Sequence, residues 1–414
     1  MENIIKLLKS NVRQLAGLDS RFICLIGLLI FLPAFEAPKN LFAFLFVLSW
    51  IITAKKTNDW GGRWRVIDSI FLLWILFAIL VSINAIISYQ FDGGGFRDIA
   101  RFLLVGWLIS RINFSTEKII HLVLLSIVGT VMTLIYAYYA GNGELKELYS
   151  VGHINHTAIY LLISFATSLA LLLFYFNNLN IYHKIFLTIA SIFFFLSIID
   201  TGSSAAFGIL FIITAIYFSY LIIKVKSLSL FLSALIVSTL ITVSFVNNPP
   251  WSLVKYQKKQ NIFSDPARTK INAFSFYAFK KNPILGIGFK NFSKIKVDDI
   301  KQEVLDNKGF FDKSLYLQGA HTHNLYFNYL VSGGLLIFSI FAFFWLYINW
   351  IIFKLVTRRE TDWILISSIS VVIINLVIGW VNTTLHHEHA ILSMFILGLL
   401  VAKFRKSESN LELA

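Results

Sequence analysis

The sequence is poor in charged residues and has a single cysteine. Charged side chains make up 14% of the 414 residues and apolar ones 57%. So little polar surface cannot cover this apolar bulk in a soluble globule, so the composition predicts a membrane protein. Because Cys24 is alone, an intrachain disulfide and a paired-cysteine metal site are excluded. The net charge of +14 does not indicate nucleic-acid binding, because most Lys and Arg residues lie in the short stretches between apolar segments.

The apolar runs predict an all-α, polytopic bundle of about twelve transmembrane helices. A span needs roughly 20 apolar residues at a rise of about 1.5 Å each. Residues 1–20 precede the first span and predict an amphipathic helix on the membrane surface, and residues 405–414 form a short tail. The predicted spans are 21–36, 38–54, 66–88, 97–110, 118–139, 156–177, 183–199, 204–223, 228–246, 324–353, 363–382 and 388–403.

The distribution of Lys and Arg predicts the orientation of these spans. With the N-terminus in the cytoplasm, the inner segments hold nineteen of the 36 positive residues, and the short outer segments hold only Lys39, Arg97, Arg101 and Lys146. This asymmetry predicts that both termini are cytoplasmic. One long outer loop, residues 247–322, then separates the spans of residues 21–246 from those of residues 323–404. It carries thirteen positive and six acidic residues, which indicates an anionic partner.

One segment of the outer loop has the pattern of an amphipathic helix. Residues 268–281 place five mostly apolar side chains on one face, and their lysines and arginine lie largely elsewhere. This pattern predicts a helix that lies along the membrane interface. It ends at Asn282-Pro283, after which Gly286 and Gly288 predict a flexible, turn-rich connection. The five residues of the face are Ile271, Phe274, Ser275, Ala278 and Phe279.

Histidines are concentrated at the predicted outer helix ends, which hold seven of the nine. An imidazole accepts a proton from a hydroxyl near neutral pH, or binds an anion when it is charged. A structural interpretation is that histidine, like Trp and Tyr, tolerates the membrane interface. The seven are His153, His156, His321, His323, His386, His387 and His389.

A metal site is a weaker interpretation of the same residues. His386 and His389 would share one helical face, Glu388 adds a carboxylate, and His321 and His323 could complete the set. The spacing is not that of a HExxH zinc site, and no cysteine contributes. We therefore favour a site without metal, in which Glu388 is an alternative to histidine as the proton acceptor.

Two motifs carry a family resemblance. In GAHTHNLYFNYLVSGGLLIF, residues 319–338, the pair His323-Asn324 is followed after nine residues by Gly334. Upstream, NPILGIGFKNF, residues 282–292, has a Pro-x-x-Gly-x-Gly pattern, and Arg268 precedes it. This arrangement around a long outer loop resembles the O-antigen ligases and polymerases, and the resemblance covers roughly residues 150–400. At Ser204 this family commonly has an arginine, so either other cations do its work or this branch handles its donor differently.

The resemblance implies a GT-C-like membrane glycosyltransferase in the bacterial inner membrane, with its active site facing the periplasm. It implies transfer of a glycan from undecaprenyl diphosphate to an acceptor hydroxyl, such as a lipid A-core sugar, with inversion and without a metal or cofactor. The expected partners are this donor, a lipid A-core or other glycan acceptor and membrane lipids, with no nucleic acid. A polymerase or a protein O-oligosaccharyltransferase is the alternative. A transporter is disfavoured, because the centres of the predicted spans are apolar.

The expected site residues follow from this chemistry. His323 is the predicted general base, with Glu388 in reserve. Ser203 and Ser204 cap a helix whose N-terminus favours an anion. The predicted diphosphate ligands are Arg268, Lys270, Arg97, Arg101, Ser203 and Ser204, and the supporting residues are Asn324, His321, Gly286, Gly288 and Gly334.

Overall fold

The computed structural model describes residues 19–145, 147–225 and 266–413. The predicted N-terminal amphipathic helix, Lys146, the predicted span 228–246 and the first part of the outer loop lie outside the described residues. The described chain contains thirteen α-helices and no named strand. They are α1 Ser20–Phe31, α2 Glu36–Thr57, α3 Val66–Tyr89, α4 Phe96–Ser110, α5 Thr116–Ala140, α6 Ile154–Phe174, α7 Ile181–Asp200, α8 Ser204–Val225, α9 Pro266–Lys281, α10 Lys301–Lys308, α11 Leu325–Thr357, α12 Trp363–Ile378 and α13 His387–Leu413.

The helices agree with the all-α prediction, and each of the other eleven predicted spans overlaps one of them. By length and composition, α2, α3, α5, α6, α7 and α11 can cross a membrane, whereas Ser20–Phe31, Ser204–Tyr220 and Trp363–Ile378 are apolar but shorter. The count of twelve spans and the GT-C-like fold therefore stay predictions.

Two helices form the centre of the bundle. In α6, protein buries 83% of the most apolar 18-residue stretch, which leaves little of this helix exposed to lipid. The central part of α13, from Ala390 to Val401, is buried throughout, and this helix packs on α4, α6 and α12. The first residues of both helices are rich in histidine, so their burial at the centre brings those histidines together. We call this end of the bundle the histidine end.

The opposite end of α13 is fixed by a buried carboxylate. Asp68 in α3 is fully buried, and its Oδ1 lies 2.7 Å from the Arg111 and Arg405 guanidinium nitrogens and accepts a 2.7 Å hydrogen bond from Trp107. Its Oδ2 accepts a 2.8 Å bond from the Arg65 amide. Because Trp107 lies in α4, Arg111 directly follows α4 and Arg405 lies in α13, Asp68 joins α3, α4 and α13. We call this end the arginine end.

The described part of the outer loop folds onto the histidine end. In α9, Ile271, Phe274 and Ala278 are buried, in agreement with the predicted apolar face. Protein covers this face, however, because Phe292 and Tyr316 of the loop pack on it in one cluster. The apolar face of α9 therefore packs on protein, and the position of this helix along the membrane interface stays a prediction. Periodicity reveals that a helix has an apolar face but not what covers it.

Candidate active site at the histidine end

The seven histidines of the predicted outer ends meet in one group, the histidine cluster. His156, in the first turn of α6, is its centre, because the ring centroids of five others lie 5.1–6.3 Å from its own. His323 joins through His321, whose ring centroid is 3.9 Å away. Residues that are 236 positions apart, from His153 to His389, therefore form a single site.

The His323-Asn324 pair is held by the start of α11. Asn324 is the N-cap, and its side-chain oxygen accepts hydrogen bonds of 2.9 and 3.0 Å from the amides of Tyr326 and Phe327. Its amide nitrogen donates to the carbonyl of Trp380 at 3.1 Å, which ties α11 to the end of α12. His323 has φ 49°, a left-handed conformation that is uncommon outside glycine. Asn324 therefore orients the backbone from which His323 projects.

The glycine motif forms a backbone joint with α11. This helix is interrupted at Gly334, whose φ of 62° and ψ of −164° are essentially restricted to glycine. Residues 283–288 cross the interruption, and the amide of Gly288 donates a 2.8 Å hydrogen bond to the carbonyl of Ser332. The two motifs that carry the family resemblance are thus parts of one joint.

This joint corrects the prediction of a flexible connection at Gly286 and Gly288. A Cβ added to Gly286 would lie 2.5 Å from the carbonyl oxygen of Val331, and one added to Gly288 would lie 2.5 Å from the Cβ of Ala85. Both glycines have positive φ. They permit close packing of a fixed backbone, and sequence alone signals freedom in φ without revealing the neighbours that use it.

Glu388 is held by a buried lysine. The ammonium of Lys39 in α2 donates to Oε1 of Glu388, to Oε2 of Glu36 at 2.7 Å and to Oγ of Ser150 at 2.6 Å. The side chains of Lys39 and Glu388 are each 1% exposed. Oε2 of Glu388 is buried and has no hydrogen-bond partner within the described residues. To act as the reserve base, Glu388 would have to release Lys39.

A second ion group lies next to the cluster. Asp98 in α4 bridges two cations, with Arg101 Nη2 at 3.2 Å from Oδ1 and Lys290 Nζ at 2.5 Å from Oδ2. The charges of Asp98 and Lys290 both act on His387. Arg101 is half-buried, whereas Arg97 is exposed. Of the two predicted arginines of α4, Arg101 is therefore the one built into this group.

Arg268 and Lys270 lie in the first turns of α9, beside the segment that carries His321. Arg268 is half-buried and Lys270 is exposed. The neighbouring Ile271 has its Cδ1 3.3 Å from the position of a Cβ added at Gly319, two residues before His321. The start of α9 therefore adjoins the histidine cluster along the chain segment 319–321.

Ser203 and Ser204 belong to a different corner of the histidine end. Ser204 begins α8, and the amide of Ser203 donates to Oγ1 of Thr201 at 3.2 Å. Next to them the hydroxyl of Tyr138 donates to Asp200 at 2.6 Å. For the residues that the structure describes, the hydrogen bonds of this corner include no histidine of the cluster. The structure therefore does not bring these serines into the ion group or the cluster.

Burial favours the neutral form of several histidines. Loss of hydration lowers the pKa of His321, and it lowers the pKa of His386 well below its ordinary value. It lowers the pKa of His387 to about 4, despite the opposing effect of Asp98. Neutral imidazoles can accept a proton but provide no lasting positive charge. Charge for an anionic ligand must therefore come from Lys and Arg residues.

The arrangement gives no support to a metal site. Among residues 19–145, 147–225 and 266–413, no group of three or more His, Cys, Asp or Glu side chains could hold a metal ion.

Sequence reasoning did not select Lys39, Glu36, Asp98 or Lys290 as site residues. A signal was present for Lys39, which is the one charged residue in the predicted span 38–54. An ionisable residue inside a span indicates a functional site with a partner to be sought. Asp98 and Lys290 offered no such signal, because they lie in polar segments where charged residues are ordinary.

Comparison with known protein families gives a match for part of the chain. Residues 189–342 match the family model described as O-antigen ligase. The matched range contains Arg268, His323, Asn324 and the glycine joint, whereas Lys39 and Glu388 lie outside it. No curated protein sequence matches the chain.

Proposed function

We propose that this chain, which residues 189–342 assign to the O-antigen ligase family, moves a glycan from undecaprenyl diphosphate to an acceptor hydroxyl. The acceptor would be a lipid A-core sugar, and the reaction would take place at the periplasmic face of the inner membrane. One observation supports this most: the histidine cluster and the cations Arg101 and Lys290 occupy the same end of the bundle.

The proposed reaction needs one proton acceptor. The acceptor oxygen attacks the anomeric carbon of the donor, a new C–O bond forms, and the bond from that carbon to the diphosphate breaks. The electron pair leaves with undecaprenyl diphosphate, and the hydroxyl proton passes to the imidazole of His323. Attack from the face opposite the diphosphate inverts the anomeric centre. Asn324 supports this role, because its hydrogen bonds fix the backbone from which the His323 side chain projects.

The diphosphate needs permanent positive charge. Arg101 and Lys290 are the best placed cations, because Asp98 already holds them together beside His387. Arg268 would approach from α9, on the side of His321. A guanidinium offers a planar fork to phosphate oxygens and an ammonium offers a compact charge. This set supplies the cations that Ser204 cannot, and it takes precedence over Ser203 and Ser204 in our proposal.

Transfer by the purified protein tests the proposal. We expect the detergent-solubilised chain to convert a lipid-diphosphate-linked glycan and lipid A-core into a glycosylated core. A transporter would form no product, because no second compartment is present. Failure to transfer the glycan to a core, to a second glycan or to a protein acceptor would contradict the proposal.

The glycolipids of a deletion strain separate the members of the family. Loss of a ligase leaves unmodified core together with polymer on the lipid carrier. Loss of a polymerase leaves single repeats on the core. A protein O-oligosaccharyltransferase would leave both glycolipids unchanged and remove glycan from proteins. We expect the first pattern.

A further inference from the structure

Lys39 is the most completely buried charge at the histidine end that the proposed reaction does not use. Its ammonium contacts three elements: Glu36 in its own helix, Ser150 in the turn before α6, and Glu388 in the first turn of α13. The amide of Ser150 in turn donates to the carbonyl of Pro33 at 3.2 Å. Lys39 thus joins the starts of α2, α6 and α13.

The position of Glu388 gives this contact a chemical consequence. Glu388 lies between His387 and His389 in sequence, and His386 precedes them. An uncompensated carboxylate beside an imidazole favours the imidazolium, which cannot accept a proton. Lys39 supplies the compensating charge. The other charged groups that act on Lys39 are Glu36 in its own helix and Asp98 and Arg101 in α4.

We propose that Lys39 is the positioning residue of this site. Through Glu388 it fixes the histidine-bearing start of α13. It also cancels the charge of that carboxylate, so that the imidazoles of the cluster stay neutral and can accept the proton of the acceptor hydroxyl. This role rests on the proposed function. Lys39 itself does not touch the reacting atoms in this scheme, and Glu388 serves as its counter-ion instead of as the base.

Two single variants have opposite expected effects. Lys39→Met leaves the carboxylate uncompensated, so the histidines take up protons at higher pH. The midpoint of the acidic limb of the pH–rate profile should therefore move to a pH about one unit higher. Glu388→Gln removes the carboxylate and leaves the ammonium, so the midpoint of the acidic limb should move to lower pH by a similar amount. Because the histidines interact, the limb belongs to the cluster as a whole.

The double variant Lys39→Met/Glu388→Gln provides the decisive comparison. It removes one charge of each sign, so the acidic limb should return close to that of the wild type. A merely structural pair would lower activity at every pH without moving the limb in opposite directions. Lys55→Met, at the far end of the same helix, is the matched control and should leave the profile unchanged.

Histidine ring signals give a readout that does not depend on transfer. Protein labelled with ¹³C-histidine is titrated in detergent from pH 8 to pH 3, for the wild type and the four variants, because burial lowers the pKa of His387 to about 4. We expect the cluster to titrate at higher pH in Lys39→Met and at lower pH in Glu388→Gln. If Lys39→Met does not fold, Glu388→Gln and the double variant still carry the comparison.

The results separate this inference from the proposed function. Opposite shifts in the titrations, together with absent glycan transfer by the wild type, would support the role of Lys39 and contradict the transferase. Transfer by the wild type, with titrations that do not move or that move in the same direction in both single variants, would overturn the role of Lys39 and leave the transferase standing.

Discussion

The two ends of α13 are each held by a buried ion pair, but the two carboxylates differ in how completely their oxygens are hydrogen-bonded. At the arginine end, both oxygens of Asp68 have donors. At the histidine end, Glu388 binds Lys39 through one oxygen, and its other oxygen is buried without a hydrogen-bond partner in the described part of the chain.

The same difference extends to the neighbouring histidines. Nδ1 of His156 is buried and has no hydrogen-bond partner among the residues described, and His389 beside it is fully buried. A buried polar group without a partner is costly and is expected where a ligand or solvent completes the site. We therefore interpret the arginine end as a structural fastening, and the histidine end as the place where a polar substrate would bind in the proposed reaction.

The largest expected effect is on catalysis at the histidine end. Loss of a general base typically lowers the rate by about 10²–10⁴-fold, so His323→Ala should reduce transfer by this order while the protein remains inserted. The matched control is His121→Ala, at the arginine end, which should retain full activity. Initial rates of glycan transfer by purified protein measure both. Full activity of His323→Ala would remove the base assignment.

The next effect is on stability at the arginine end. Asp68→Ala leaves two buried guanidinium groups without their anion and should lower the free energy of unfolding by about 3–5 kcal/mol. Asp298→Ala is the control, because the Asp298–Lys313 pair is 64% exposed on both sides and should contribute under about 1 kcal/mol. Thermal unfolding in detergent compares the two variants. Equal losses would show that Asp68 is not a structural fastening.

The glycine joint tests whether the histidine end has a fixed backbone. Gly334→Ala should destabilise the protein by about 2–3 kcal/mol, because its backbone region excludes a side chain. Gly309→Ala also places alanine at positive φ but meets open space, so it should cost only about 1 kcal/mol. Unfolding midpoints measure the difference. If the two variants were equally stable, the proposed close contact with residues 283–288 would be refuted.

The smallest effect concerns the donor. Lys290→Ala should raise the donor KM about tenfold, which corresponds to the roughly 1.5 kcal/mol of a hydrogen bond to a charged group. Lys313→Ala also removes a loop lysine paired with an aspartate, but its partner is Asp298, away from Asp98. Its KM should not change. An identical KM for Lys290→Ala and the wild type would place the diphosphate elsewhere, with Arg268 the next candidate.

Local sequence patterns predicted much of this architecture. Apolar runs located eleven of the thirteen described helices and an amphipathic pattern located α9, because length and hydropathy are properties of contiguous residues, whereas the short helix α10 was not predicted. Clustering of the histidines was also foreseeable, since alternating helices place their ends at two surfaces. The joint between residues 283–288 and Gly334 was not, because it depends on which backbone approaches a glycine.

The ion pairs were the least predictable part of the site. Lys39 and Glu388 are 349 positions apart, and neither residue by itself identifies the other. Asp98 and Lys290 likewise come from different elements. Pairing across such distances is decided by how the helices pack, and one sequence contains no direct signal of it. The roles assigned to these residues and to His323 stay predictions.

The orientation of the two ends is the central claim, and cysteine labelling tests it directly. In a Cys24→Ser background, single cysteines are placed at the exposed positions Lys313, in the outer loop, and Lys406, at the arginine end. A membrane-impermeant maleimide is added to cells with a permeabilised outer membrane. We predict labelling of Lys313→Cys and protection of Lys406→Cys until the inner membrane is broken. The reverse pattern would put the histidine cluster in the cytoplasm and contradict the proposed transferase.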